Sequence, residues 1–154
     1  MFVKRVVSAL RRARVRFAIA GGHAVALHGA VRGTLDVDLV LTLSRGNFTA
    51  AEAALNRVGL QSRLPLKAEE VFDFREEYVR NRNLIAWSFV NPTDPTEIVD
   101  IILTEDLEAM RVDMIPVGGL RLPVVAVADL IRMKEKSGRP QDREDIQALR
   151  RLGS

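Results

Sequence analysis

Two aspartates two residues apart, Asp36 and Asp38, are the first residues whose types and spacing point to chemistry. On a strand, side chains at i and i+2 leave the same face, so both carboxylates stand close enough to share one or two hard cations. Without a cation their repulsion is costly, particularly beside an apolar strand face. The plain alternative is a polar strand edge facing water. Asp100 is the third acid. It lies within Ile98-Val99-Asp100-Ile101-Ile102, apolar at both i±1 and i±2, where an unpaired carboxylate is expensive to bury. It can pair with one of the many arginines, stay protonated, or bind a metal.

Ala20-Gly21-Gly22-His23 places a glycine pair where a strand runs into a helix. Glycine permits a tight turn and close approach, and backbone N–H groups at a helix start attract anions such as phosphate, although most such junctions are only turns. Near the C-terminus, Val127, Leu130, Ile131 and Lys134 recur at i, i+3, i+4 and i+7, which puts a lysine on the core-facing stripe of a helix. In the final helix Ile146, Leu149 and Leu152 define an apolar face, with Asp142 and Asp145 on or beside it. Arg143, Glu144, Gln147, Arg150 and Arg151 point elsewhere. Two readings stay open: a Lys134–Asp145 ion pair that locks the helix hairpin, or a polar network that supports a site. The two histidines, His23 and His28, read as a helix-surface residue and a partner of the helix dipole. Trp87 reads as a sheet-packing residue.

The elements that must position these residues are legible in outline. Val3, Val6, Val7 and Leu10 mark an amphipathic first helix. Arg16 to Ala20 reads as a short strand, and His23 to about His28 as a second helix ended by Gly29. From Asp36 to Leu43 the pattern alternates, with Val37, Leu39, Leu41 and Leu43 on one face and Asp36, Asp38 and Val40 on the other. Phe48, Ala51, Leu55 and Val58 mark a third helix. The charged stretch from Gln61 to Arg82 suits a short strand, a partial helix and a loop. Leu84 to Val90 and Glu97 to Leu103 form an antiparallel pair across Asn91-Pro92-Thr93-Asp94-Pro95, and Met110 to Val117 and Leu120 to Val125 a hairpin around Gly118-Gly119. Two helices, Ala126 to Lys136 and Pro140 to Leu152, close the chain. The fold class expected is α/β (α+β): an open mixed sheet with helices packed on it and a C-terminal helix pair, in one minimal domain spanning residues 1–154.

Composition bounds the chemistry. With no cysteine among 154 residues there is no disulfide framework, thiolate metal site or Cys nucleophile. Zinc-ligand spacing, a Walker A pattern and a G-x-S-x-G elbow are also missing from the sequence. The net charge of +3 and the pI near 9.8 are compatible with phosphate-bearing partners, but arginine-rich composition explains them equally well. No apolar run reaches the roughly 18–20 residues of a bilayer span, and the N-terminus lacks the pattern of a secretory signal, so a cytoplasmic location is expected.

Phe17-Ala18-Ile19-Ala20-Gly21-Gly22-His23-Ala24, followed by Arg32-Gly33-Thr34-Leu35-Asp36-Val37-Asp38-Leu39, resembles the signature of the DNA polymerase β-like nucleotidyltransferase superfamily. Within it the sequence looks most like the small prokaryotic nucleotidyltransferases related to AbiEii and MenT-type toxins. Asp100 matches the third carboxylate, and Leu130-Ile131-Arg132-Met133-Lys134 and Gly138 to Ile146 resemble the lysine helix and R-x-x-D-x-x-D segment of the same group. The clear matches cover the first third and last sixth of the chain, with nothing usable between about Ser62 and Arg82.

The resemblance implies a nucleoside triphosphate substrate and two Mg²⁺ ions (or Mn²⁺) on Asp36, Asp38 and Asp100. It places phosphates near Gly21, Gly22, Arg32 and Thr34, with Lys134 neutralising triphosphate charge. It implies transfer of a nucleoside monophosphate to a hydroxyl of RNA (tRNA ends in the toxin-like members), of a protein, or of a small molecule such as an aminoglycoside. An antitoxin or a dimer partner would also fit. The alternatives are a catalytically silent module on the same fold and, third, a basic RNA-binding domain, which the low aromatic content of 5% disfavours.

Overall fold

The computed structural model describes residues 2–29 and 36–152. Arg32 and Thr34, expected at the phosphates, lie outside the described residues. The first helix, α1 (Phe2–Arg12), buries Val3, Val6, Val7 and Leu10, the predicted stripe. Each such aliphatic side chain contributes about 1.5–3 kcal/mol on burial, enough to hold α1 on the sheet without help from its polar face. Strand β1 (Phe17–Ala20) is buried at all positions and runs directly into α2 (Gly21–Leu27). That helix starts two residues before the expected His23, so the glycine pair forms its first turn instead of a linker.

Strand β2 (Val37–Leu41) starts one residue after Asp36 and stops before Leu43, shorter than the alternating pattern allowed. Helix α3 (Arg45–Arg57) is capped by Ser44, whose hydroxyl accepts from Asn47 N. The charged middle segment resolves into β3 (Gln61–Ser62), α4 (Ala68–Asp73) and α5 (Arg75–Arg82). Then come β4 (Ala86–Asn91), β5 (Asp94–Ile102), a 3₁₀ turn (Leu107–Ala109), β6 (Val112–Val117) and β7 (Leu120–Val125). The chain closes with α6 (Val127–Ser137) and α7 (Pro140–Leu152), within a residue of the expected bounds. Gly138, at φ +67°, caps α6 through its N–H on Lys134 O, and Pro140 opens α7, where its missing N–H costs nothing.

The seven strands make one open mixed sheet in the order β3-β4-β5-β2-β1-β7-β6. The expected β4–β5 and β6–β7 pairs are antiparallel neighbours, while β2–β5 and β1–β7 are parallel. An aromatic group pins the middle segment to this sheet. Trp87 is fully buried between Phe48 and Phe89, with ring centroids at 6.3 and 4.5 Å, and donates its indole N–H to Ser62 Oγ at 2.8 Å. It is the packing residue the sequence indicated.

Candidate active site

The strand register lines up four positions across the centre of the sheet. Ala20 of β1 stands opposite Asp38 of β2, Asp38 opposite Asp100 of β5, and Asp100 opposite Ser88 of β4. Residues in register on adjacent strands project to the same face, so the Asp38 and Asp100 carboxylates converge. Asp36, two residues before Asp38, leads into the strand on the same side. Ser88 Oγ donates to Asp100 Oδ1 at 2.5 Å. The partner that Asp100 shows is thus a hydroxyl from the next strand, not the arginine the plain reading would supply.

Gly21 closes the row from the other side. Its backbone has φ +62°, a region L side chains rarely adopt, and a Cβ built there would overlap Asp38 Oδ2. Glycine is therefore required twice over, by conformation and by the acid it touches. The first turn of α2 therefore begins directly beside the Asp38 carboxylate.

The electrostatics follow from this crowding. Burial, then Asp100, then Asp36 push the Asp38 carboxyl up to about 7, against the opposing pull of Lys134 and Arg139. Asp36 is raised by burial and by Asp100, and lowered by Arg63 and His23. Crowding of this kind, which raises Asp36 and Asp38, is what a divalent cation would relieve. Among the described residues, however, no group of three or more His, Cys, Asp or Glu side chains is placed to hold a metal ion by itself. An open carboxylate ledge suits Mg²⁺, which is commonly held by one or two carboxylates with the rest of its shell from phosphates and water.

Lys134, Asp142 and Asp145 are all buried where α6 meets α7. Lys134 Nζ donates to Asp145 Oδ2 at 2.8 Å and lies 3.6 Å from Asp142 Oδ1, so the ion pair that locks the hairpin is present. The same lysine is close enough for its charge to act on Asp38. The two readings of these residues are thus compatible. Burial pushes the Asp142 carboxyl up, but hydrogen bonds from Ser137 and from the side chain and backbone N–H of Arg139 outweigh it and hold it below the ordinary range. Arg143, Glu144, Gln147, Arg150 and Arg151 all face solvent, as the helical wheel indicated.

Sequence reasoning assigned no individual role to three residues that the fold brings to this site, although Arg139 opens the R-x-x-D-x-x-D match. Arg139 keeps its side chain 76% exposed while its charge reaches Asp38. Exposed Arg63 follows β3, its N–H bonded to Ser88 O at 2.9 Å, and acts on Asp36. Ser88 is the third. Nothing local marks Arg63 or Ser88, because both depend on strand pairing distant in sequence. His28, expected at the helix dipole, instead bonds Val125 O through Nε2 at 2.9 Å, tying α2 to β7. A 540 Å³ concavity lined by Leu43, Phe72, Phe74, Arg75 and Arg80 holds none of the site residues.

The fold recurs in solved structures. The antibiotic-resistance factor ANT(2'')-Ia aligns over 96% of this chain and 80% of its own, with a TM-score of 0.66 and 11% identity. The Thermotoga maritima protein TM1012, assigned as a nucleotidyltransferase, aligns over 94% and 88% with a TM-score of 0.62 and 13% identity. The chain has a nucleotidyltransferase fold. A nucleotidyltransferase-like antigen of Paracoccidioides brasiliensis shares this fold at a TM-score of 0.58 and 18% identity, over 96% of this chain and 74% of its own. No family model and no curated protein matches the chain by sequence. Among the described residues no helix is long and apolar enough to cross a membrane.

Proposed function

We propose that the protein transfers a nucleoside monophosphate from a nucleoside triphosphate to a hydroxyl acceptor, in the manner of the small AbiEii- and MenT-like nucleotidyltransferases. The observation that carries this reading is the register of Asp38 against Asp100, with Gly21 too close to Asp38 to carry a side chain. Asp36, Asp38 and Asp100 would hold Mg²⁺, which supplies Lewis acidity at the phosphate oxygens and at the attacking hydroxyl. The N–H groups of Gly21 and Gly22, at the start of α2, would take the anionic triphosphate. Lys134 and Arg139 add positive charge on the same side, and Ser88 fixes the orientation of Asp100. Asp100 lies on the strand beside the pair and is the carboxylate positioned to favour loss of the acceptor proton. Catalysis then rests on positioning and charge, as in other phosphoryl transfers.

The motif resemblance supports three acceptor classes as candidates. RNA, with tRNA first, and protein hydroxyls fit the toxin-like resemblance, and growth inhibition relieved by an antitoxin is the corresponding cellular role, in the cytoplasm. A neighbour solved with adenylyl-2''-tobramycin adds aminoglycosides to the set. The test incubates the protein with Mg²⁺, each α-labelled nucleoside triphosphate and either total tRNA, the protein alone or an aminoglycoside, beside Asp36→Ala and Asp38→Ala. Label transferred by wild type alone establishes the reaction and its acceptor. Transfer that persists in Asp38→Ala overturns the site. Nucleotide binding without transfer in any arm, Mn²⁺ included, replaces the enzyme with a binding module.

A further inference from the structure

The two edges of the sheet differ. At one end β3 has only two residues. At the other, β6 is six residues long, and Arg111, Val112, Asp113 and Met114 are all exposed. Long exposed edges with apolar side chains are normally blunted, because their unpaired N–H and C=O groups template pairing with another strand. Here Val112 and Met114 are 38% and 44% exposed. The N–H of Arg111 donates to Asp129 Oδ2, and its carbonyl accepts from Ala126 N, so both groups of Arg111 point inward. In an antiparallel ladder the direction alternates, and the N–H and C=O of Val112 and Met114 therefore point outward. Pro116 shares that phase, and its missing N–H leaves β7 unaffected while ending the outward ladder.

The sequence of this edge is its own complement. Met110-Arg111-Val112-Asp113-Met114, turned antiparallel about Val112, sets Val112 against Val112, each Arg111 against Asp113, and each Met110 against Met114. Met110 is extended at φ −121° and ψ 155°, but its N–H is held by Leu107 O and its side chain is half-buried, so it adds an apolar contact and no N–H to the ladder. Met110, Val112 and Met114 then form one apolar cross-strand face, while the opposite face carries two Arg–Asp pairs. We infer that β6 is a homodimerisation edge, on which a second copy of this chain pairs antiparallel about Val112. The occupant is fixed by the charge pattern: an unrelated strand would have to supply opposite charges at the same two offsets, and a second copy does so by symmetry. The patch is short compared with a standard interface of about 800 Å² a side, so the dimer is weak and its population follows concentration. This inference stands apart from the reading of the acid row.

Sedimentation equilibrium over a wide concentration range tests it. Arg111→Asp sets acid against acid at both pairs, and Asp113→Arg sets base against base, so each variant alone dimerises roughly tenfold or more weakly than wild type. An equimolar mixture of the two restores both opposite-charge pairs and forms a heterodimer. Because the chain has no cysteine, Val112→Cys adds a clean probe: it cross-links to itself under mild oxidation, whereas Pro116→Cys, out of register with itself, does not. Wild type that stays monomeric throughout, or single variants that dimerise as well as wild type, overturns the inference.

Discussion

Replacing Asp38 by Asn should make the metal-free protein more stable while removing its activity, and the gain should depend on pH. Asp38 titrates near 7 in the folded chain against an ordinary value of 3.8. An acid whose folded value is raised holds its proton longer when folded. Its contribution is most favourable below about pH 4 and is lost as the pH climbs from 3.8 towards 7. At 1.36 kcal/mol per unit the full loss is ~4 kcal/mol. Asn recovers only part of that, because its amide is still desolvated and because Lys134 and Arg139 lose an anionic neighbour, so ~2 kcal/mol is expected above pH 7. In a chain of this size that raises Tm by about 4–8 °C. The assay is thermal unfolding of both proteins from pH 4 to 8 in a chelator. The two curves should coincide near pH 4 and diverge steadily to about pH 7. Adding Mg²⁺ at pH 8 should then raise the Tm of wild type, by binding the folded state alone, and leave Asp38→Asn unmoved. A variant less stable than wild type at pH 8, or a gain independent of pH, would refute the reasoning that crowding of acids governs this row.

Gly21→Ala should cost at least ~1–3 kcal/mol in urea unfolding, since its Cβ meets Asp38 Oδ2 and its backbone has positive φ, and it should abolish transfer together with any Mg²⁺-dependent rise in Tm. Lys134→Met should cost ~3 kcal/mol by leaving Asp142 and Asp145 buried without their lysine, with partial recovery when Asp145→Asn is added; a double variant no better than the single would show that the pair does not carry the hairpin. Ser88→Ala removes the hydroxyl that orients Asp100, so stability should fall by only ~1 kcal/mol while kcat drops several-fold at nearly constant KM. In cells, wild-type expression should arrest growth and Asp38→Asn should not, measured as colony counts after induction.

Much of this architecture was legible because the relevant signals are local. The α1 stripe and the Gly138–Pro140 break each fix an element from its own residues, and the Asn91 to Pro95 signal marks the β4–β5 turn, although only Pro92 and Thr93 form it and Asp94 and Pro95 already belong to β5. The segment from Gln61 to Arg82 was not legible, for a physical reason. Helix α5 buries no residue at all and relies on Glu76 and Glu77 in its first turn and Arg80 and Arg82 in its last, so it has no hydrophobic period to read. Helix α4 is too short for a period and shows only Ala68 and Val71 as buried. The acids themselves stood out by type, but that Asp38 faces Asp100 depends on a parallel pairing between strands separated by α3, α4 and α5. Ser88 and Arg63 inherit the same dependence.

The acid row also poses a problem of charge balance among the described residues. Its nearest buried cation, Lys134, is already committed at 2.8 Å to Asp145, and Arg63 and Arg139 are solvated residues at the rim. Their pull leaves Asp38 near 7, well above its ordinary value, so among the described residues positive charge does not offset the burial of Asp38 beside Asp100 and Asp36. A purely structural row would be expected to lose an acid or gain a buried partner, as Asp142 and Asp145 have done one layer away. A cation from solution would relieve the row, and the register sets Asp38 beside Gly21 at the start of α2, where an anion is favoured. Metal and anion side by side against one strand face are the requirements of a nucleoside triphosphate, and this is why the Asp38→Asn pair of measurements, stability without Mg²⁺ and its response to Mg²⁺, bears on function as directly as a transfer assay.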